Sequence, residues 1–583
     1  MPHAAIWVDT ETDPVQVCRG TIAHVLRFGW AAYQRTIPNG SWTAPEWYRF
    51  TTPRQFWRWV LSKTRKKTRL LVFAHNLAFD APVLHTFDEL PKLGFKLGHA
   101  VIESPPVILC WRRPGQTIEM LDTLNWWRTS LAKLGESIGV PKLTMPKGKA
   151  KRATWDRYCR NDVEVIRRAV HHWWTFLVRY DLGGFARTLA GQSLRAYRHR
   201  FMDAPILIDQ DTRALDLARD SYHGGRTECF RLGRIKGPVH CLDVNSMYPH
   251  VMRESAFPSV LRLYVRSATL QEISRWLRSR AVCARVEIRT DTPLYAVRQG
   301  DKLIFPVGRF RCSLTTPDLK EALSRGHVAK VYDAAVYDAS PLFARFVDEV
   351  YSLRLEAASR GDEVHKYLLK ILMNSLYGKF AQRGTVWEGR GAPGTSLVRV
   401  WNEYDLESGT LRRFRQFAGI LQERSTEPEA RESHPAIASH VTAYARLFLW
   451  RLIEKAGRSE VLYCDTDSLY VTDLGLNRLK DAIDSETLGA LKLEATYPWI
   501  VFHGPKDYET PDGKVIKGVR KSARWLSART VCQDAWTSLA GILRKGSMQA
   551  PQTKQVVKTL RRVYSKGLVD RSGTVSPFRL NDP

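Results

Sequence analysis

Nine cysteines lie singly along the 583 residues, at Cys18, Cys110, Cys159, Cys229, Cys241, Cys283, Cys312, Cys464 and Cys532, and no two form a C-x-x-C pair. That argues against a structural zinc site and a disulfide framework, and for a reducing compartment. Long apolar runs are missing too. No stretch approaches the roughly 18 residues that a membrane helix needs, so no membrane partner is expected. Met1-Pro2-His3-Ala4 shows no charged leader before an apolar core, so no secretory signal is read and a cytoplasmic setting is expected. Internal repeats and extended low-complexity tracts are absent as well.

Acids are scarce beside bases. Lys+Arg number 89 against 59 for Asp+Glu, a formal charge of +30 with a pI near 9.9. Such a surplus suits a polyanionic partner, because each neutralised phosphate releases condensed counterions. A merely soluble basic protein is the competing explanation. The length exceeds what one hydrophobic core accommodates, so several domains are expected.

The scarce acids are grouped. Ala4-Ala5-Ile6-Trp7-Val8 reads as a buried strand ending in Asp9-Thr10-Glu11, and a period of two puts Asp9 and Glu11 on the same side. Side by side they repel, unless a cation lies between them. A second apolar run, Leu70 to Ala74, continues through His75-Asn76 into Leu77-Ala78-Phe79-Asp80. Farther on, Trp155 to Trp174 has helical character, and Tyr158 and Asp162 at i, i+4 share one face. Four acids and a tyrosine from separate elements could hold two Mg²⁺ roughly 3.5–4 Å apart for phosphodiester hydrolysis. Any one of these acids alone reads better as a cap or a surface charge; their joint order points to metal chemistry.

A second group follows. Val239 to Val244 is apolar apart from His240 and Asp243, and Asn245-Ser246-Met247-Tyr248-Pro249 then carries a helix-start signal whose backbone N–H groups could receive a triphosphate. Val461 to Cys464 and Leu469 to Val471 flank Asp465-Thr466-Asp467-Ser468, a hairpin with acids at its turn. Between these, Pro341 to Ala358 and Glu363 to Tyr377 suit an antiparallel helix pair. On the second helix Lys366, Lys370, Asn374 and Tyr377 step by four, four and three along one face. Such a face offers charge for phosphates and a ring for a sugar or base.

Asp9-x-Glu11, Asn76-x-x-Phe79-Asp80 and Tyr158-x-x-x-Asp162 resemble, in order, the exo I, II and III motifs of family B DNA polymerases. Asp243-Val-Asn-Ser246-Met247-Tyr248-Pro249 resembles motif A, with Met247 in place of the usual Leu. Lys370 to Gly378 matches motif B, and Tyr463-Cys-Asp465-Thr466-Asp467-Ser468 matches motif C. Tyr222-His-Gly224-Gly225 is similar to the Y-x-G-G segment between the two activities, and Lys506-Asp-Tyr508 to the K-x-Y primer element. Ser130-Leu131-Ala132-Lys133-Leu134 is similar to a strand-binding motif of the protein-primed branch.

The resemblance implies an α/β and α+β multidomain architecture: an RNase H-like 3′→5′ exonuclease domain and a right-hand polymerase with two insertions. It implies metal ligation by Asp9, Glu11, Asp80 and Asp162, with Tyr158 orienting the attacking water and Thr12, Asn76, Phe79, Ser130 and Leu131 holding a frayed primer end. A lysine before exo III belongs to the same pattern, and Lys142, Lys147, Lys149 and Lys151 all compete for it. In the polymerase, Asp243, Asp467, the nearby Asp465 and the Val244 carbonyl would hold two Mg²⁺ per site, with Mn²⁺ as an alternative ion. Lys366, Lys370 and Arg354 would meet the triphosphate, with Ser246 and Met247 beside it. Tyr248 would exclude a 2′-hydroxyl, and Asn374 and Tyr377 would check the nascent pair. Tyr222, Gly224, Gly225, Thr466, Lys506 and Tyr508 would contact DNA.

The expected organisation is an exonuclease domain over 1–183, palm over 184–255, a first insertion over 256–340, fingers over 341–383, a second insertion over 384–432, palm again over 433–530 and a thumb over 531–583. The exonuclease is expected to end at a hinge around Asp181-Leu-Gly183-Gly184. Both insertions read as long connections, the second containing a polar and Gly-rich segment from Gly384 to Gly394. They fall where protein-primed members dock a terminal protein and encircle DNA. The resemblance thus implies a monomeric replicase of a phage, virus or linear plasmid, acting on template-primer DNA and dNTPs, primed by a terminal protein and able to displace a strand. A nucleic-acid-primed or primer-independent relative is the alternative. A non-catalytic nucleic-acid-binding protein would explain the charge and the 62 aromatics but not two ordered acid groups. Residues 511–583 hold fifteen Lys and Arg against four Asp and Glu, which suits a thumb gripping duplex phosphates, and Val556 to Tyr564 is read as helical.

Overall fold

The computed structural model describes residues 2–581 except 39, 103–104, 148–149, 385–386, 392–398, 418, 425–428 and 545–550. Lys149 and part of the Gly384–Gly394 segment therefore lie outside the described residues.

The first apolar run becomes the strand Ala4–Cys18, near the middle of a ten-stranded mixed sheet. Ile6 and Val8 enter a core with Val72 and Trp111, while Ala5 and Trp7 enter one with Phe73 and Ile166 on the other face. Burial on both faces explains why the run is continuous rather than alternating. This strand pairs antiparallel with Thr21–Arg35 and parallel with Thr68–Ala74, which is parallel in turn to Gln116–Asp122. The 28-residue helix Arg152–Arg179 packs across the first two strands, with Trp174 stacked on Trp42 at 4.9 Å.

A second, fully antiparallel sheet of seven strands places Gly233–Val244 between Ser468–Val471 and Leu491–Gly504. The almost wholly buried helix Pro435–Ala456 packs against Met247–Glu254 and the elements around it. The helix pair Ala344–Ser359 and Glu363–Ser375 joins this body through Met247–Glu254.

Two stretches expected as long connections are folded. Residues 257–340 supply four strands of a five-stranded sheet, Phe257–Arg266, Arg280–Thr290, Val307–Thr315 and Val328–Ser340. Trp387–Gly391, Arg399–Asp405, Thr410–Phe417 and Ile420–Arg424 form a four-stranded antiparallel sheet, from which Arg415 Nη2 donates to the Ala100 carbonyl at 3.2 Å and Phe417 meets Phe87 edge-on at 6.2 Å.

The helical reading of Val556 to Tyr564 is wrong. Gln552–Thr559 is a strand, paired with Thr530–Trp536 on one side and with Thr21–Ala23 of the first sheet on the other. Adjacent Val556 and Val557 favour extended backbone, and a short run of mixed pattern takes the conformation of its partners. Beyond it the chain runs back over the seven-stranded sheet, where Leu232 N–H donates to the Gly573 carbonyl at 2.7 Å, and Arg579–Leu580 then joins the five-stranded sheet beside Val307 and Gly308. Among the described residues, no helix is long and apolar enough to cross a membrane.

Two candidate carboxylate sites

In the first sheet the strand bearing Asp9 and Glu11 bulges between Glu11 and Thr12 against its neighbour, an irregularity that re-aims side chains. Asp80 sits in the first turn of the short helix Leu77–Val83, and Thr10 Oγ1 donates to its Oδ1 at 2.6 Å. Asp162 approaches from the long helix. Burial pushes Asp9 well above the usual carboxylate range, and the charges of Asp162, Asp80 and Glu11 add to this. Glu11 rises to about 7 for the same reasons, burial first and Asp162 second. Burial also lifts Asp80 to about 7, against the Thr10 hydrogen bond. Acids so crowded resist ionising together, and a divalent cation removes the resistance. Asp162 Oδ1 is buried with no hydrogen-bond partner, the state expected of an oxygen reserved for a cation.

Of the competing lysines that are described, Lys142 is the one at the site. Its Nζ pairs with Asp162 Oδ2 and lies 4.3 Å from the centre of the Tyr158 ring, whereas Lys147 and Lys151 are exposed. Asn76 stands at φ 75°, its N–H donating to Asp122 Oδ1 at 3.0 Å. Asp122 also accepts from Leu124 N–H at 2.9 Å, and burial raises it to about 6. Sequence reasoning missed Asp122, although an acid ending an apolar strand is the same signal that marked Asp9. It also missed Cys159, whose Sγ lies with Asp9 and Glu11 in a group of donor atoms all within 4.8 Å. Phe79 meets His24 and Trp536 edge-on at 5.8 and 5.5 Å, so the C-terminal strands reach this site. Ser130 caps the helix Leu131–Ser137 by accepting from Lys133 N–H at 3.3 Å, and Leu131 packs on the core; the structure gives both a local structural role. Thr12 is half-buried just past the bulge.

In the second sheet Asp243 stands opposite Ser468 on one neighbour and Lys492 on the other. Val244 N–H donates to the Asp467 carbonyl at 2.8 Å, which locks the two acid-bearing strands together. The hairpin turn places Thr466 at φ 64° and bonds Asp467 N–H to the Asp465 carbonyl at 2.7 Å. Burial, then Asp467 and Glu494, raises Asp243 to about 6, and burial likewise raises Asp467. Asp465 differs. It accepts from Thr227 Oγ1 at 3.1 Å and from the Tyr463 hydroxyl at 3.2 Å, and it pairs with Lys506 Nζ at 3.0 Å. Its oxygens are engaged by side chains, while Asp243 and Asp467 share the field of Lys370.

Tyr248 stacks on Tyr377 at 4.5 Å and 17°, and Arg354 Nη1 donates to Ser246 Oγ at 3.4 Å. Asn374 Nδ2 donates to the Lys370 carbonyl at 3.0 Å. Lys366 is half-buried and pairs with Glu363 at 3.1 Å. The Met247 side chain is in the core, so only its backbone faces the site; Val244 is likewise buried, consistent with a role for its carbonyl alone. Gly225 is required sterically, since a Cβ there would lie 2.7 Å from Thr466 Cγ2, while Gly224 has open space around it. Sequence reasoning also missed the buried Arg446, which donates to the His223 and Gly224 carbonyls at 2.8 and 3.2 Å. The Lys506 N–H donates to the Tyr463 hydroxyl at 3.1 Å, and the Tyr508 hydroxyl meets that of Tyr470 at 3.0 Å. A cleft of about 1450 Å³ is lined by Tyr222, Asn374 and Tyr377 together with Arg69, Arg128 and Arg187. These arginines were not singled out from the sequence, being scattered over separate elements.

Residues 143–386 match the family described as DNA polymerase type B, organellar and viral. The DNA-directed DNA polymerase of Enterobacteria phage PRD1 is 24% identical over 499 residues, covering 80% of this chain and 81% of that protein. A probable DNA polymerase of Neurospora intermedia is 24% identical over 344 residues, 55% of this chain but only 33% of that longer protein. Phi29 DNA polymerase complexed with primer-template DNA and incoming nucleotide superposes with a TM-score of 0.68 at 18% identity, over 96% of this chain and 100% of that one.

Proposed function

From its place among the type B DNA polymerases of the organellar and viral kind, we propose that this chain copies DNA by adding dNTPs to a primer 3′-hydroxyl, and that it trims misplaced ends at a second site. The carrying observation is the pair of separate carboxylate groups, each crowded and buried enough to raise its acids above the ordinary carboxylate range. Magnesium, when bound, supplies each group with charge neutralisation and a Lewis acid for phosphate chemistry.

Asp243 and Asp467 hold the ion of the synthetic site, with the Val244 carbonyl beside them. Asp465, engaged by Lys506 and two hydroxyls, keeps the turn in place. Lys370 and Arg354 meet the triphosphate, and Lys366 can swing to it from the surface. Tyr248, backed by Tyr377, presents its ring to the sugar and leaves no space for a 2′-hydroxyl. Lys506 and Tyr508 hold the primer strand. At the trimming site Asp9, Glu11, Asp80 and Asp162 hold the ion, Tyr158 and Lys142 orient water, and Asn76 and Phe79 receive the unpaired end. We read residues 1–183 as the trimming domain, 184–255 and 433–530 as palm, 341–383 as fingers and 531–583 as thumb. The sheets within 256–340 and 384–432 are read as the two insertions, and priming is assigned to a terminal protein offering a side-chain hydroxyl.

The test separates the two sites. Asp467→Ala abolishes primer extension and spares degradation of single-stranded DNA; Asp9→Ala with Glu11→Ala does the reverse. A folded variant that lost both activities would contradict the assignment. Protein priming is checked with labelled dNTP, template and candidate terminal protein, where absence of a covalent protein–nucleotide adduct favours a nucleic-acid-primed enzyme.

A further inference from the structure

The trimming site contains an atom that oxygen-based phosphate chemistry does not require. Cys159, on the helix Arg152–Arg179, is fully buried, and its Sγ lies 3.5 Å from the Asp9 carbonyl and 3.7 Å from Asp9 Oδ2. Among the described residues, Asp9, Glu11 and Cys159 form a group whose donor atoms all lie within 4.8 Å of one another. The acids of the second sheet form no such group there. A separate observation points to a cation. Asp162, three residues along the same helix face, is buried, and its Oδ1 has no hydrogen-bond partner. Its charge bears on both Asp9 and Glu11. Lys142 satisfies only the other oxygen. Two carboxylates and a thiol thus converge, and the same helix brings an unsatisfied carboxylate oxygen whose charge acts on both acids. Carboxylates alone suit magnesium or manganese, while an added sulfur favours softer ions.

We propose that the trimming site binds a thiophilic divalent ion, zinc or cadmium, through Cys159 Sγ together with Asp9 and Glu11. The inference rests on reading this cluster as a metal site. Binding breaks the S–H bond and forms a sulfur–metal bond; the proton leaves to solvent, and nothing is oxidised or reduced. Thiophilic ions therefore enter the trimming site in preference to the synthetic one.

Cadmium is the probe. The full chain, free of other metals, is titrated with Cd²⁺ while sulfur-to-cadmium absorbance is followed in the ultraviolet, alongside Cys159→Ser and Asp9→Asn. The first equivalent should show sulfur absorbance in the unmodified chain, lose it in Cys159→Ser with an affinity drop of about tenfold or more, and weaken in Asp9→Asn. A cysteine elsewhere would not respond to Asp9, so unchanged absorbance in either variant overturns the proposal. ¹¹³Cd NMR of the unmodified chain needs no substitution: a mixed sulfur–oxygen shift supports the site, and an all-oxygen shift rejects it. Magnesium-driven trimming by the same chain tests the underlying reading separately. Sulfur-ligated cadmium without trimming keeps the metal site and removes the nuclease assignment; trimming with all-oxygen cadmium does the opposite.

Discussion

Removing divalent ions should make this chain less stable as pH rises, because of the acids around Asp9. Glu11 is held at about 7 against an ordinary 4.5, and Asp80 at about 7 against 3.8. Both pKa values are higher folded than unfolded, so between about pH 4.5 and 7 the folded chain retains protons that the unfolded chain has released. The free energy of unfolding must then fall with pH. The penalty is absent below the unfolded values and complete above about pH 7. For Glu11 alone, 4.5 against about 7 corresponds to about 3 kcal/mol at about pH 8. The acids share the same repulsions, so their separate figures do not add. For the proposed trimming domain of roughly 180 residues, 3 kcal/mol shifts the midpoint by about 6–12 °C. Thermal unfolding in EDTA should show about 2 kcal/mol of that loss between about pH 5.5 and about pH 8, since the rest is already present at the lower pH, and millimolar Mg²⁺ should restore most of it at the higher pH. Glu11→Gln should unfold later than the unmodified chain in EDTA at about pH 8 and gain less from Mg²⁺. Equal midpoints at both pH values in EDTA, or no gain from Glu11→Gln, would refute the claim that these carboxyls are mutually frustrated.

Three further outcomes are expected. Gly225→Ala should slow single-turnover extension by about tenfold or more by displacing the Asp465–Asp467 turn, and Thr466→Ser, which removes the clashing Cγ2, should recover part of it; no recovery would place the defect elsewhere. Tyr248→Ala should raise ribonucleotide incorporation by about tenfold or more in competition assays, and unchanged sugar selectivity would count against the gate role. Replacing the exposed Lys521 and Arg524 with alanine should lower the slope of log affinity for duplex DNA against log salt by about 2, and an unaltered slope would remove the C-terminal segment from the DNA-contacting surface.

The acid-bearing elements were legible because each joins a plain local signal to a charge at a fixed offset. An apolar run ended by Asp9-Thr10-Glu11 and two β-prone runs around Asp465–Asp467 specify strand and turn from neighbours alone. The helix pair was legible from capping and spacing; Asp362, whose side chain accepts from His365 N–H at 3.1 Å, starts the second helix where the sequence suggests. What was not legible depends on distant pairing. Gln552–Thr559 is extended because Thr21–Ala23 and Thr530–Trp536 offer it backbone partners, and nothing within Val556 to Tyr564 announces them. The choice of Lys142 over Lys147 and Lys151, and the presence of Cys159 and Asp122 beside the acids, likewise follow from how helix and sheet face each other.

The strand pairing that joins Gln552–Thr559 to Thr21–Ala23 also sets a timetable for biosynthesis. His24 and Thr553, hydrogen-bonded at 2.8 Å, are 529 positions apart. At ribosomal speeds of about 5–20 residues per second, the N-terminal sheet must wait on the order of a minute for the strand that completes it. Through that interval a row of backbone donors and acceptors stands open to any extended chain in the surroundings. A nascent chain stalled before that strand emerges would keep the edge bare, and chaperone capture or aggregation should concentrate there.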